Sequence, residues 1–439
     1  MMTPWLRFPT IRIAFFILVC LVLNLDERSY AQNDPPKDGR YYERVATAAY
    51  RAKDFAAFLE NMQKATQLRP SHPRLTYNLA VAYALNGRSA EALYSLRQVA
   101  EMGMVVPAAK DDDFDSIKEN AEFTAIIARI DSNKLPLIKS TEAFTVHEKG
   151  LVPESIAYDS HTGTFFLSSV YKRKIVSINS KGEVSDFATE RDGLWSVFGM
   201  RVDAARRFLW VCTAAHPQMT NYVPAENGIS GLYKFDLRSG KLLKKYLLSN
   251  SPKRHLLGDL VLDSKGNVFT SDSLSPAIYF IDKNKDELEL FMESNAFASP
   301  QGLAFTADEK GLFMADYSNG IFLLNLSAKE LTNLSPPPNR ALLGIDGLYS
   351  HKGDLIGVQN GVNPWRVIRM SVSRDSKRIE RVETIEANNP IFDEPTLGVL
   401  VKDTFFFIAN SQWGVIDDKG QLAIEKLKDP IVLKMKVDH

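Results

Sequence analysis

The chain has 439 residues, 45% hydrophobic and 24% charged, with 53 Lys plus Arg against 53 Asp plus Glu. That length exceeds what one hydrophobic core usually organises, so two domains are expected. The zero net charge excludes an electrostatic case for nucleic acid or an anionic membrane surface, and partners have to be argued from sites.

Residues 1–31 carry the pattern of a secretory signal peptide. Arg7 and Arg12 precede an apolar run over 13–25, and Ser29-Tyr30-Ala31 places small residues where a signal peptidase reads. The run is shorter than the ~20 residues of a spanning helix. Cleavage after Ala31 is therefore expected in preference to an uncleaved anchor, leaving an exported chain, periplasmic or secreted, with no membrane span. Val19 before Cys20 argues against lipid attachment, which wants a small residue there. Cys212 then remains alone in "FLWVCTA". It closes no internal disulfide, and its apolar, strand-like setting predicts a buried filler rather than a reactive thiol.

Residues 32–40 read as a polar linker ("NDPPKDGR" at 33–40), and 41–132 as helical, rich in alanine, leucine and long polar residues. Tyr50 and Tyr83 correspond, 33 residues apart, each followed seven residues later by an alanine, Ala57 or Ala90. That spacing lies next to the 34-residue period of tetratricopeptide repeats. Ala49, Ala57, Ala82 and Ala90 suit close helix packing, and Asp54 and Gly87 fall at turns. The segment resembles a short tetratricopeptide-type array of about two repeats plus a frayed third. The resemblance implies a protein partner along its surface, or a packing role beside the larger domain.

After a second linker at 133–144, a different unit recurs over 145–439: a loop, an apolar run, a turn, and further apolar runs. Its starts are "PESIAYDS", "VFGMRVDA", "LLGDLVLD", "SPQGLAFT", "GIDGLYSH" and "DEPTLGVL". Anchored at Glu154, Phe198, Gly258, Gln301, Asp346 and Glu394, they stand about 45 residues apart, the length of a four-stranded blade. One 60-residue gap reflects an insertion over 214–228. The fold expected is mainly β, a six-bladed β-propeller behind an N-terminal helical domain. Either "AFTVHE" at 143–148 or "IVLKMKV" at 431–437 could close the ring.

In a propeller the starts of the inner strands converge on the central channel. Glu154, Asp259, Asp346 and Glu394 would then stand within reach of one another, an arrangement that calls for a cation or a shared proton. An oxygen-only donor set suits calcium or magnesium. His216, His255 and the loop "NGVNPWR" at 360–366 with Asn363 are read, together with Glu394, as substrate-contacting candidates. A lone loop histidine is also an ordinary solvated group. Trp195, Trp365 and Trp413 lie near repeat boundaries, suited to walling a pocket or to packing between blades.

"QGLAF", "LFMAD", "DGL" and "GDLVLDSKGNVFTSD" resemble the repeat starts of the gluconolactonase and regucalcin (SMP-30) family, related to paraoxonases and strictosidine synthase-like proteins. The resemblance covers roughly 145–439. It implies a divalent ion, calcium above all, at the channel, and hydrolysis of a small lactone, ester or phosphoester. The family's ligands are a first-blade glutamate, the asparagines of Asn-Asp and Asn-Gly motifs, and the aspartate of an Asp-Gly motif. Here Glu154 and Asp346-Gly347 meet the first and last, Gln301-Gly302 alters one, and Gly258-Asp259 lacks one. The resemblance makes Asp346 the catalytic residue and Glu154, Gln301 and Asp346 metal ligands, with Asp259 or Glu394 taken to fill the position that Gly258 leaves vacant in the metal set. Two functions follow: an exported metal-dependent lactone or ester hydrolase, or a non-catalytic binding module whose metal site has degenerated.

Overall fold

The computed structural model describes residues 37–250, 252–416 and 421–437. The signal-peptide reading over 1–31 lies outside them. The chain divides into two compact units, one running to Leu135 and the other from Pro136 onward, with residues 338–341 counted to the first. Among the described residues no helix is long and apolar enough to cross a membrane.

The first unit is helical. Gly39–Arg51 and Phe55–Leu68 form one helix pair, Pro73–Leu85 and Ser89–Glu101 the next, and Ala121–Ser132 follows. Asp38, Asp54 and Asn120 cap their helices by accepting first-turn backbone N–H bonds. The second helix buries Phe58, Leu59, Met62 and Ala65, and the fourth buries Ala92, Leu93, Leu96 and Val99, the same face 34 residues on. The pairing of Tyr50 with Tyr83 is therefore one residue out of register. Ala82 is buried, but Ala90 is exposed. The buried side chains keep the period because they must meet their neighbours every repeat, whereas half-exposed tyrosines need not.

The second unit is a propeller of six four-stranded antiparallel sheets. Blades 1 to 6 open with the inner strands Ile156–Asp159, Ser196–Asp203, Leu257–Leu262, Pro300–Phe305, Ile345–His351 and Gly398–Val401. The second strands of the blades are buried nearly throughout, on both faces, so they read as continuous apolar runs rather than as an alternation. In the blade 4 strand Gly311–Asp316, Leu312 and Met314 pack with Phe269 and Ile278 of blade 3. Phe313 and Ala315 point the other way, to Ile345 and Leu355 of blade 5. Among the described residues four further apolar clusters of this kind complete the circuit where neighbouring blades meet, including Leu167 and Val176 of blade 1 with Ile408 and Val432 of blade 6.

Both candidate segments close the ring. In blade 6, Thr404–Ile408 pairs with Ile431–Lys436, and Thr141–Thr145 adds the outermost strand. The two ends of the propeller chain thus share one sheet. The insertion over 214–228 links the second and third strands of blade 2, on the side where the inner strands begin.

A buried ion pair joins blades 1 and 2. Arg207 Nη1 and Nη2 donate to Asp159 Oδ1 and Oδ2 at 2.5 and 2.7 Å. Burial acts to raise the Asp159 carboxyl, but the Arg207, Thr162 and His161 bonds outweigh it and hold it at about 2. A carboxylate depressed in the fold stabilises it above the unfolded value of about 3.9, and that stability drains away as the pH falls toward 2. Arg207→Met is expected to cost about 3 kcal/mol at neutral pH, because Asp159 is left charged and unpaired. Urea unfolding at pH 7 measures it, and an unchanged midpoint would show the pair to be energetically idle.

Candidate functional site

Close backbone contacts bring the inner strands together around the channel. Met200 N–H donates to Ser155 Oγ at 3.1 Å, and Leu397 N–H to the Glu154 carbonyl at 3.1 Å, tying blade 1 to blades 2 and 6. A Cβ on Gly199 would stand 2.7 Å from the Gly258 carbonyl oxygen, and one on Gly302 2.7 Å from that of Asp346. Glycine lets blades 2 and 3, and blades 4 and 5, approach that closely. Gly398 N–H donates to Tyr349 Oη at 2.6 Å across blades 5 and 6.

Within that ring Glu154, Asp346 and Glu394 sense one another's charge. Burial, then the charge of Asp346, pushes the Glu154 carboxyl well up. Burial lifts Asp346 to about 7 against the opposing bond from Asn360, with the charge of Asp259 adding to the rise. Burial, then Asp346 and Asp393, carries Glu394 to about 8. No lysine or arginine among the described residues offsets these three acids. Asp259 differs: Arg201 pairs with it at 3.1 Å, and Leu260 N–H donates to its Oδ1 at 2.8 Å. Its charge is already answered, so it is a poor substitute for the ligand that Gly258 lacks.

Three residues hold the two central acids in place. Trp413 Nε1–H donates to Glu154 Oε2 at 2.8 Å. Asn360 Nδ2 donates to Asp346 Oδ2 at 2.9 Å and to the Pro395 carbonyl at 3.0 Å, while Tyr317 Oη donates to Asn360 Oδ1 at 3.0 Å. Gln301 Nε2 donates to Ser299 Oγ at 3.0 Å, which turns its carbonyl Oε1 to within 3.4 Å of where a Gly258 side chain would begin. The extra methylene of Gln301 thus brings an amide oxygen beside the place where Gly258 has no side chain.

An aromatic wall stands beside Glu154. The Phe198 and Trp413 rings lie nearly parallel, 6.4 Å apart, and His216 meets each edge-on at 6.3 Å. His216 comes from the blade 2 insertion, and burial lowers its imidazole to about 4, so it is neutral at physiological pH. His255 is differently placed. Its Nδ1 pairs with Asp272 Oδ2 at 2.6 Å within blade 3 and its ring meets Tyr279, while its backbone N–H donates to the Gly228 carbonyl at 2.9 Å at the end of the blade 2 insertion. Trp195 Nε1 donates to Glu226 at 3.0 Å. Asn363 is half-buried in the loop after the second strand of blade 5, and it is Asn360 of that loop that reaches Asp346.

Tyr317 escaped the sequence reading, and Asn360 entered it only as the first residue of the substrate-contacting loop at 360–366, not as a partner of Asp346. Antiparallel pairing sets the end of each second strand against the start of its first: Pro300 faces Asp316, and Ile345 faces Gln359. The residues next along the chain, Tyr317 and Asn360, therefore reach the same mouth. The signal was present in "MADY" and "GVQN" as a polar residue closing an apolar run.

Among the described residues no three histidine, cysteine, aspartate or glutamate side chains are gathered as a metal centre. Two carboxylates and an amide carbonyl, all oxygen donors around an uncompensated negative charge, still match the chemistry of a hard divalent cation.

No protein-family model matches the chain, and neither does any curated protein. Similar solved structures include a gluconolactonase from Xanthomonas campestris, 15% identical over 68% of this chain and 94% of that one, with a TM-score of 0.45. A calcium-binding regucalcin from Agrobacterium tumefaciens is 12% identical over 68% and 93%, with a TM-score of 0.46. A virginiamycin B lyase from Staphylococcus aureus is 15% identical over 68% and 99%, with a TM-score of 0.45. At such identities and scores the likeness bears on neither substrate nor activity, and the propeller stands on the six sheets themselves.

Proposed function

We propose that the protein is an exported hydrolase of small lactones or esters that depends on a divalent cation, calcium foremost, at the mouth of the propeller channel. The observation that carries this reading is the group of buried Glu154 and Asp346 with half-buried Glu394, which no basic side chain among the described residues offsets. Carboxylates so placed demand a cation or hold a proton near neutral pH, and either state serves acid–base chemistry. Export rests on the charged, apolar and small-residue pattern of residues 1–31.

Glu154, Asp346 and the Gln301 carbonyl are the residues that would hold the cation. Such an ion supplies positive charge to polarise a carbonyl oxygen and lower the pKa of water. The chain's own part is proton handling. Asp346 Oδ2 is occupied by Asn360, which leaves Oδ1 to accept a proton from water as the water oxygen bonds to the lactone carbonyl carbon. The acyl C–O bond then breaks, and the same proton passes to the departing oxygen, so that a hydroxy acid leaves with no redox change. The Phe198, His216 and Trp413 rings would exclude bulk water and pack an apolar substrate body.

Metal analysis of protein purified without chelator, joined to a panel of lactones and aryl esters with and without EDTA, tests the reading. About one equivalent of divalent metal and turnover lost in EDTA are expected. Metal-free protein without turnover across the panel would instead favour a non-catalytic binding module, the reading that Gly258 supports by offering no ligand.

A further inference from the structure

We infer that Tyr317 and Asn360 are positioning residues that fix which oxygen of Asp346 works in the site. The inference rests on the proposed cation-dependent site and adds to it the device that orients its central acid.

The orientation of the Asn360 amide follows from its partners rather than from a choice between two flips. The Pro395 carbonyl can only accept, so it requires the Asn360 nitrogen at 3.0 Å. The other N–H of that nitrogen reaches Asp346 Oδ2 at 2.9 Å, leaving Asn360 Oδ1 to accept from Tyr317 Oη at 3.0 Å. Both Asn360 N–H groups and one carbonyl lone pair are thereby used. A reversed amide would set oxygen against oxygen at Pro395 and at a charged Asp346.

Tyr317 secures the arrangement from behind. Burial, then the charges of Asp346, Glu394 and Glu154, keep its phenol protonated, so it remains a donor. Its own backbone is fixed from both sides: Tyr317 N–H donates to the Ser299 carbonyl at 2.9 Å, and Gly344 N–H to the Tyr317 carbonyl at 2.7 Å. The chain Tyr317–Asn360–Asp346, with Pro395, thus links blades 4, 5 and 6 at the point where Asp346 enters the channel. Asp346 Oδ2 is always given an N–H, so its carboxylate cannot rotate freely, and Oδ1 is the oxygen left for a cation or a reacting water.

Calcium titration calorimetry on the purified protein, its Tyr317→Phe and its Asn360→Leu variants tests the inference. Partners that hold a metal ligand in place typically matter 10–100-fold in affinity. Asn360→Leu is expected to weaken calcium binding by about tenfold or more. Tyr317→Phe keeps the ring and is expected to weaken it less. Asn360→Leu binding calcium as tightly as wild type would overturn the inference. Wild type that binds no calcium would sink the cation reading instead. In that case a crystal structure of Asn360→Leu decides this one: a rotated Asp346 carboxylate supports it, and an unmoved carboxylate overturns it.

Discussion

Asp346→Asn is expected to lower hydrolysis of small lactones or aryl esters by about 10²–10⁴-fold, the range for a lost general base. The amide keeps the volume of the carboxylate, and its carbonyl can still accept the Asn360 N–H, so the bonding at the mouth of the channel survives. What disappears is the negative charge and the basicity of the second oxygen. Circular dichroism should stay close to wild type, which separates loss of chemistry from loss of fold. Glu154→Gln is the informative companion. Trp413 Nε1–H can still donate to the glutamine carbonyl, so activity and cation affinity should fall together without a packing defect. Turnover that survived Asp346→Asn would remove Asp346 from the chemistry and leave Glu394 as the acid to examine.

The second large effect concerns cation removal and its pH dependence. Asp346 and Glu394, at about 7 and about 8, lie above their unfolded values because burial disfavours their charged forms. A carboxyl raised in this way stabilises the fold fully below its unfolded value of about 4, and that contribution is lost as the pH climbs through the folded value. Protein held in EDTA should therefore melt at progressively lower temperature between about pH 5 and pH 8. Calcium should reverse the trend, since a cation makes the ionised forms the favoured ones. At calcium one hundred times its Kd the gain is about 2.7 kcal/mol, or roughly 5 °C in Tm for a unit of this size. A melting temperature indifferent to EDTA at pH 8 would mean that the acids do not hold calcium.

The six starts from Glu154 to Glu394 were legible because a propeller repeats one local problem. Each blade needs an inner strand, two hairpin turns and apolar side chains on both faces, and these recur along the chain at blade length. Asp346 and Glu154 were legible as repeat-start residues for the same reason, since repeat starts share one environment. The helical repeat was found one residue out of register, because the pairing of Tyr50 with Tyr83 followed residue identity where burial sets the period.

What the sequence by itself determined is the number of blades and the acids at the starts of their inner strands, both of which follow from local periodicity. Only the tertiary structure decided that Thr141–Thr145 and Ile431–Lys436 share the closing sheet, that Asp259 is answered by Arg201, that His255 pairs with Asp272, and that Asn360 and Tyr317 hold Asp346. Each of these depends on the direction in which a side chain or strand end points once the ring is closed. Ring closure joins residues far apart in the chain, and the packing of neighbouring blades, which no local pattern encodes, selects the partners.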